Sequence, residues 1–158
     1  MIPKMEQIEL NRIIDQIERL HNTNWAGFNL YEVLDSITDY SANLKLPNFN
    51  NTIHQISRHI LVTEFVVIKR LQGIDYTEED WMPADRINFK WTDTVNAIKE
   101  SKNEIKRKLQ NLSDEDLNKP IIKNFSSIYV TLHGHIQHSY YHFGQIVLMK
   151  KFIEHLRQ

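Results

Sequence analysis

The stretch "HGHIQHSYYHFGQI", His133 to Ile146, holds four of the eight histidines in the chain. Neutral imidazole offers a nitrogen lone pair at physiological pH, so such a run raises the chemistry of divalent metals. A helix turns about 100° per residue. His138 and His142 are four apart and share one helical face, one turn from each other, and Gln145 stays on that face. This spacing is a common way to offer two imidazoles to one ion. By the same arithmetic His135 lies within about 60° of His138 and sits in or beside the site. His133 points away and suits surface or packing duty. The plainer alternative is a core helix whose histidines are satisfied by hydrogen bonds.

Two imidazoles do not make a tight site, so a third ligand must come from another helix. The run from Asn51 to Leu71 offers His54 and His59, which are five apart and cannot both face one ion. Glu64, five beyond His59, also points elsewhere. Three neutral nitrogens with an open fourth position describe a catalytic type of site, in which a bound water becomes acidic. The chain has no cysteine, which removes disulfides, thiolate nucleophiles and thiolate zinc sites. Any thiol chemistry must use a thiol supplied from outside.

The elements that must position these residues read as helices. The chain has 158 residues, 41% hydrophobic and 25% charged, with four glycines and four prolines. That is the length of one domain, 1–158, and the scarcity of turn residues favours long helices. Ile8, Ile13, Ile14, Ile17 and Leu20 give the segment Lys4–His21 an apolar stripe at helical spacing. A short helical piece in "LYEVLDSIT" turns Leu30, Val33, Leu34 and Ile37 inward, and "LKLPNFNN" follows as a loop. A second long helix runs over Asn51–Leu71, capped by Asn50 or Asn51 and ended by Gly73. The next twenty residues read as an ordered connection of the kind that borders a site. A third helix spans Thr92–Leu112, with Thr92 as cap. "SDED" at Ser113–Asp116 has the shape of a capping box for one short turn, and the last helix covers Ile128–Leu156. His21 and His155 fall near helix ends, where they meet solvent or last-turn carbonyls. Tyr140 and Tyr141 read as packing residues with a hydroxyl partner. Trp25, Trp81 and Trp91 read as anchors at the edge of the core.

The formal charge of −1 gives no basic field for a phosphate backbone, so nucleic acid is not an expected partner. No apolar run approaches the roughly 18 residues of a membrane span, and the first residues do not resemble a secretory signal. A cytoplasmic location is the expectation.

"LHGHIQHSYYHFGQIVLMKK" resembles the last-helix signature of the DinB/YfiT-like superfamily: His, three residues, His, one residue, then Gly-Gln and an aliphatic residue. Here these are His138, His142, Gly144, Gln145 and Ile146. His59-Ile60, with Glu64 about a turn later, resembles the family's second-helix segment, and "NWAGFNLYEVLDSIT" resembles the Trp-x-Gly approach of one branch. The resemblance implies an all-α four-helix bundle of unusual connectivity. It also implies a divalent metal, zinc or nickel above all, held by His59, His138 and His142, with Gln145 behind them. It implies a homodimer and a small-molecule substrate. Some relatives are S-transferases using low-molecular-weight thiols such as bacillithiol or mycothiol. The expectation is therefore a metal-dependent transferase or hydrolase, and the alternative is a non-catalytic metal- or ligand-binding module.

Overall fold

Four long helices carry the chain, and each starts where its first N–H groups find an acceptor. The computed structural model describes residues 7–25, 27–85 and 89–156, with residues 82–85 described by backbone alone. The long helices are α1 (Ile8–Asn22), α4 (Ile53–Leu71), α6 (Trp91–Leu109) and α7 (Ile128–His155). Three short helices, α2 (Leu30–Asp35), α3 (Asp39–Asn43) and α5 (Glu78–Asp85), and one 3₁₀ turn (Asp116–Asn118) join them. No strand occurs among the described residues. The fold is an all-α bundle in which α4 packs against both α6 and α7. The expected start of the first helix at Lys4 lies outside the described residues.

The helix starts differ from the sequence reading in instructive ways. α4 is capped by Thr52 rather than by Asn50 or Asn51. The Thr52 hydroxyl accepts the N–H of Gln55 at 3.2 Å, and the Gln55 carboxamide oxygen accepts the N–H of Thr52 at 2.8 Å. Such a reciprocal box needs Gln or Glu three residues on, and neither asparagine has one. α6 starts one residue before Thr92, with the Lys90 N–H held by Asp93 at 3.1 Å. α1 is capped from far away in sequence. The Asp114 carboxylate accepts the N–H groups of Leu10 at 2.9 Å and Glu9 at 3.1 Å. Those bonds favour its charged form and hold its pKa below the usual carboxylate range. "SDED" is half a box. Asp116 accepts the Ser113 N–H at 2.8 Å, but the Ser113 hydroxyl donates to Asp116 instead of receiving.

α4 ends as expected at Gly73. Its φ of 78° is left-handed, where a side chain is strained. Gly73 N–H reaches Arg70 O at 2.9 Å, and Ile74 N–H reaches Lys69 O at 3.1 Å, closing the last turn. α5 lies in the stretch read as a connection, and α3 falls between the short helical piece and the loop after it, where no element was expected. α5 lacks an apolar stripe and forms behind a local cap: Asp80 accepts the Thr77 N–H at 2.7 Å and hydroxyl at 2.9 Å.

The core has two apolar clusters. One gathers Leu20, Ile60, Leu61, Ile98, Phe143 and Ile146 with the residues of α2. The other gathers Ile13, Ile17, Val67, Ile68, Ile105, Leu132 and Ile136. Where one cluster gives way to the other, every long helix turns polar: His21 on α1, Glu64 on α4, Ser101 and Lys102 on α6, His135 and Ser139 on α7. All six are buried. The level of His21, Glu64 and Ser101 thus divides the bundle interior into two apolar halves.

Candidate metal centre

α4 and α7 bring His59, His138 and His142 together. One ring nitrogen from each lies within 4.8 Å of the other two. His59 Nε2 is 2.9 Å from His138 Nε2, and His142 Nε2 is 3.1 Å from His138 Nε2. Zinc–imidazole bonds are about 2.0–2.1 Å long, which in tetrahedral geometry places the nitrogens about 3.3 Å apart. The spacing seen here is close to that. The three side chains are half-buried, so an ion and a further ligand can reach them.

The outer nitrogens decide what the inner ones can do. Gln145 Oε1 lies 2.7 Å from His142 Nδ1. An amide oxygen only accepts, so Nδ1 carries the proton and Nε2 keeps its lone pair toward the site. The Gln145 amide nitrogen in turn donates to the Tyr141 hydroxyl at 3.2 Å. Thr63 donates its hydroxyl hydrogen to Ile60 O at 2.8 Å, so toward His138 Nδ1, 3.5 Å away, its oxygen can only accept. Glu78 on α5 places a carboxylate oxygen 3.8 Å from His59 Nδ1. Each histidine therefore turns Nδ1 to an acceptor and Nε2 to the common point. Metal-bound histidines are oriented in this way.

Electrostatics agree. Burial, then His142, His59 and His135, hold His138 down to about 4. Burial also lowers His142, partly offset by Gln145. Metal ligands must be neutral imidazoles, and His138 is neutral above about pH 4.

The other candidates fall elsewhere. His54 is buried and bonds Thr94 at 2.8 Å and Asn43 at 2.9 Å, so it is not the third histidine. Glu64 turns into the interior, where Oε2 accepts from the Ser101 hydroxyl and Oε1 lies 3.7 Å from His21 Nε2. His135, expected in or beside the site, is 7% exposed and belongs to the buried polar level, outside the convergent group. Of the two expectations for His21, solvent or a carbonyl near the helix end, the structure shows the second. The ring is 1% exposed and donates through Nδ1 to Ile17 O at 2.7 Å. His133 packs against Tyr129 as its direction predicted. Trp91 is buried, with its indole N–H on Ile37 O at 2.8 Å, whereas Trp25 is 88% exposed and anchors nothing.

Three residues at the centre escaped the sequence reading. Thr63 is four beyond His59 on the same helical face, so its signal was available. Tyr141 has the hydroxyl partner expected of it, Gln145, but its place at the centre, with its ring edging His142 at 4.9 Å, was not foreseen. Glu78 sits on an unforeseen helix and carried no local signal.

The chain is thus an all-α bundle with three imidazoles, from two of its long helices, converging where they could hold a metal ion. The model of the DinB superfamily matches residues 22–146, and the chain belongs to that family. The matched span includes the three histidines and Gln145. No match was found among curated proteins or solved structures. No helix among the described residues is long and apolar enough to cross a membrane.

Proposed function

We propose that the protein is a divalent-metal-dependent enzyme in which His59, His138 and His142 hold the ion, and that it acts as a thiol S-transferase or hydrolase. The observation that carries this reading is the shared orientation: three Nε2 atoms at one point, each Nδ1 facing an acceptor. Zinc and nickel both suit an all-imidazole donor set. A bound ion would act as a Lewis acid that lowers the pKa of a thiol or water in its remaining position.

The residues supply positioning. Gln145 and Thr63 set the tautomers of His142 and His138, so the lone pairs need no rearrangement before an ion arrives. Glu78 balances positive charge near His59 without occupying the centre. With no cysteine in the chain, the thiol is a cosubstrate.

The test begins with metal analysis of untagged protein, expected to give close to one ion per chain. The loaded protein is then assayed with a panel of small thiols and a generic electrophile, and with ester and amide substrates. Turnover above background with any of them supports the enzyme. Full metal content with no turnover across both panels leaves a metal-binding module instead.

A further inference from the structure

The buried level between the two apolar halves carries more polar atoms than its own contacts satisfy. His21, Glu64 and Ser139 are each 1% exposed, and His135 is 7% exposed. His21 Nε2, Glu64 Oε1, His135 Nδ1 and Ser139 Oγ are shut off from solvent and find no hydrogen-bond partner among the described residues. An unmade bond on a buried polar atom costs more than a made one returns, so such atoms in folded proteins are nearly always paired with protein or water. The four atoms come from α1, α4 and α7. His135 and Ser139 are four apart on α7 and share one of its faces. Burial lowers the pKa of His135, while the charge of Glu64 acts to raise it and that of His21 to lower it, so the three groups feel one another.

His21 and Glu64 define the gap most closely. Nε2 and Oε1 are 3.7 Å apart, too far for a hydrogen bond. Each side chain is held from behind. The His21 ring donates through Nδ1 to Ile17 O at 2.7 Å and meets the Tyr31 ring edge-on at 5.2 Å. Glu64 Oε2 accepts from the Ser101 hydroxyl.

The two facing atoms also share one chemistry. With the hydrogen on Nδ1, Nε2 of the neutral ring is a lone pair, and a carboxylate oxygen only accepts. Two acceptors that face each other need a donor with two hydrogens between them. An oxygen about 2.8 Å from each fits their separation. Lys102, buried at the same level, does not supply the donor, because its ammonium is given to Glu18 at 2.8 Å. A metal ion is poorly served, since His21, Glu64 and His135 do not bring three ligand atoms within 4.8 Å of one another. Water has two hydrogens, two lone pairs and no charge to desolvate, and buried waters typically make about three hydrogen bonds to groups of this kind.

We propose that this level is an internal hydration site: one water donates to both His21 Nε2 and Glu64 Oε1, and its oxygen accepts from α7, from Ser139 or His135 directly or through a second water. The water is then a structural ligand that ties α1 to α4 and α7. The outer histidines take no part in it, so the site does not depend on the metal reading.

Two measurements test it. A high-resolution crystal structure of the native chain, grown without ammonium, should show a water within about 3.2 Å of both His21 Nε2 and Glu64 Oε1. In solution, the oxygen-17 relaxation dispersion of water counts slowly exchanging internal molecules. Glu64→Leu keeps the bulk but offers no acceptor, and it should lose at least one such molecule per chain. If that variant does not fold, His21→Phe gives the same comparison, because its ring has no acceptor nitrogen.

Direct contact of Nε2 with Oε1, or no density between them, would overturn the proposal. So would density that appears only in crystals grown with ammonium, which is an adventitious ion only. An oxygen-17 amplitude that E64L or H21F leaves at the native value would overturn it as well.

Discussion

Two histidine-bearing regions share α4 and α7, and they put the same residue type to opposite uses. At the outer face, His59, His138 and His142 converge with no carboxylate among them, and Glu78 stays 3.8 Å behind His59. In the interior, His21 faces a carboxylate. Its Nδ1 donates to Ile17 O, its Nε2 lies 3.7 Å from Glu64 Oε1, and Glu64 Oε2 accepts from Ser101. The inner region sets its ring beside a carboxylate and ties α1, α4 and α6 together inside the bundle. The outer region turns three ring nitrogens toward one point, the arrangement that could hold a metal ion.

The comparison breaks or holds on a reciprocal pair of substitutions, which carry the largest expected effects. Glu64→Ala removes the acceptor of the Ser101 hydroxyl inside the bundle and should destabilise the fold by about 1–3 kcal/mol in urea or thermal unfolding. Metal content per folded chain should stay at the native level. His138→Ala removes the histidine that lies within 3.1 Å of both others. It should cut metal affinity by more than the roughly 10–100-fold typical of an outer-partner substitution. Its stability without metal should change little, because the centre is half-exposed. If E64A lost metal and kept its stability, the assignment of the two regions would be reversed.

How far each region was legible in the sequence follows from the range of its interactions. His138, His142 and Gln145 lie on one helix at fixed spacing, so their common face is a local property. The third candidate ligand was not local. Residue spacing left His54 and His59 open, and only the family resemblance chose His59. The long helices were readable from their apolar stripes, while α3 and α5 have none. For His21 a carbonyl partner was within the expectation, and full burial was not. Burial there depends on α2 closing over the end of α1, with the Tyr31 ring 5.2 Å from His21, and no periodicity within α1 encodes that. The Asp114 cap on α1 is hidden for the same reason, since its partners are more than one hundred residues away.

The partners behind the outer histidines give smaller, graded effects. Gln145→Ala frees His142 to rotate and to change tautomer, and it should weaken metal binding by about 10–100-fold in a competition titration. Glu78→Gln should cost less, about tenfold at most, because its carboxylate is beyond hydrogen-bond length and 54% exposed. An E78Q effect larger than that of Q145A would mean that charge, rather than orientation, governs the outer centre.

The smallest effect belongs to the rim of the inner region. Glu18 on α1 accepts from Lys102 at 2.8 Å and from Lys106 at 2.7 Å, joining α1 to α6. Burial alone would raise its pKa, but the two ammonium groups outweigh burial and hold it near 2, below the ordinary 4.5. The folded chain thus binds this proton less readily than the unfolded chain. Its stabilisation is complete above about pH 4.5 and is lost as pH falls toward 2. Glu18 is in contact with water, so the contribution is about 1 kcal/mol. Comparing Glu18→Gln with the native chain in urea at pH 6 and pH 3 isolates it. The native advantage should be present at pH 6 and reduced at pH 3, with metal affinity at pH 7 the same in both proteins. A change in metal affinity would show that the two regions communicate through α4 or α7, which their separate sets of contacts argue against.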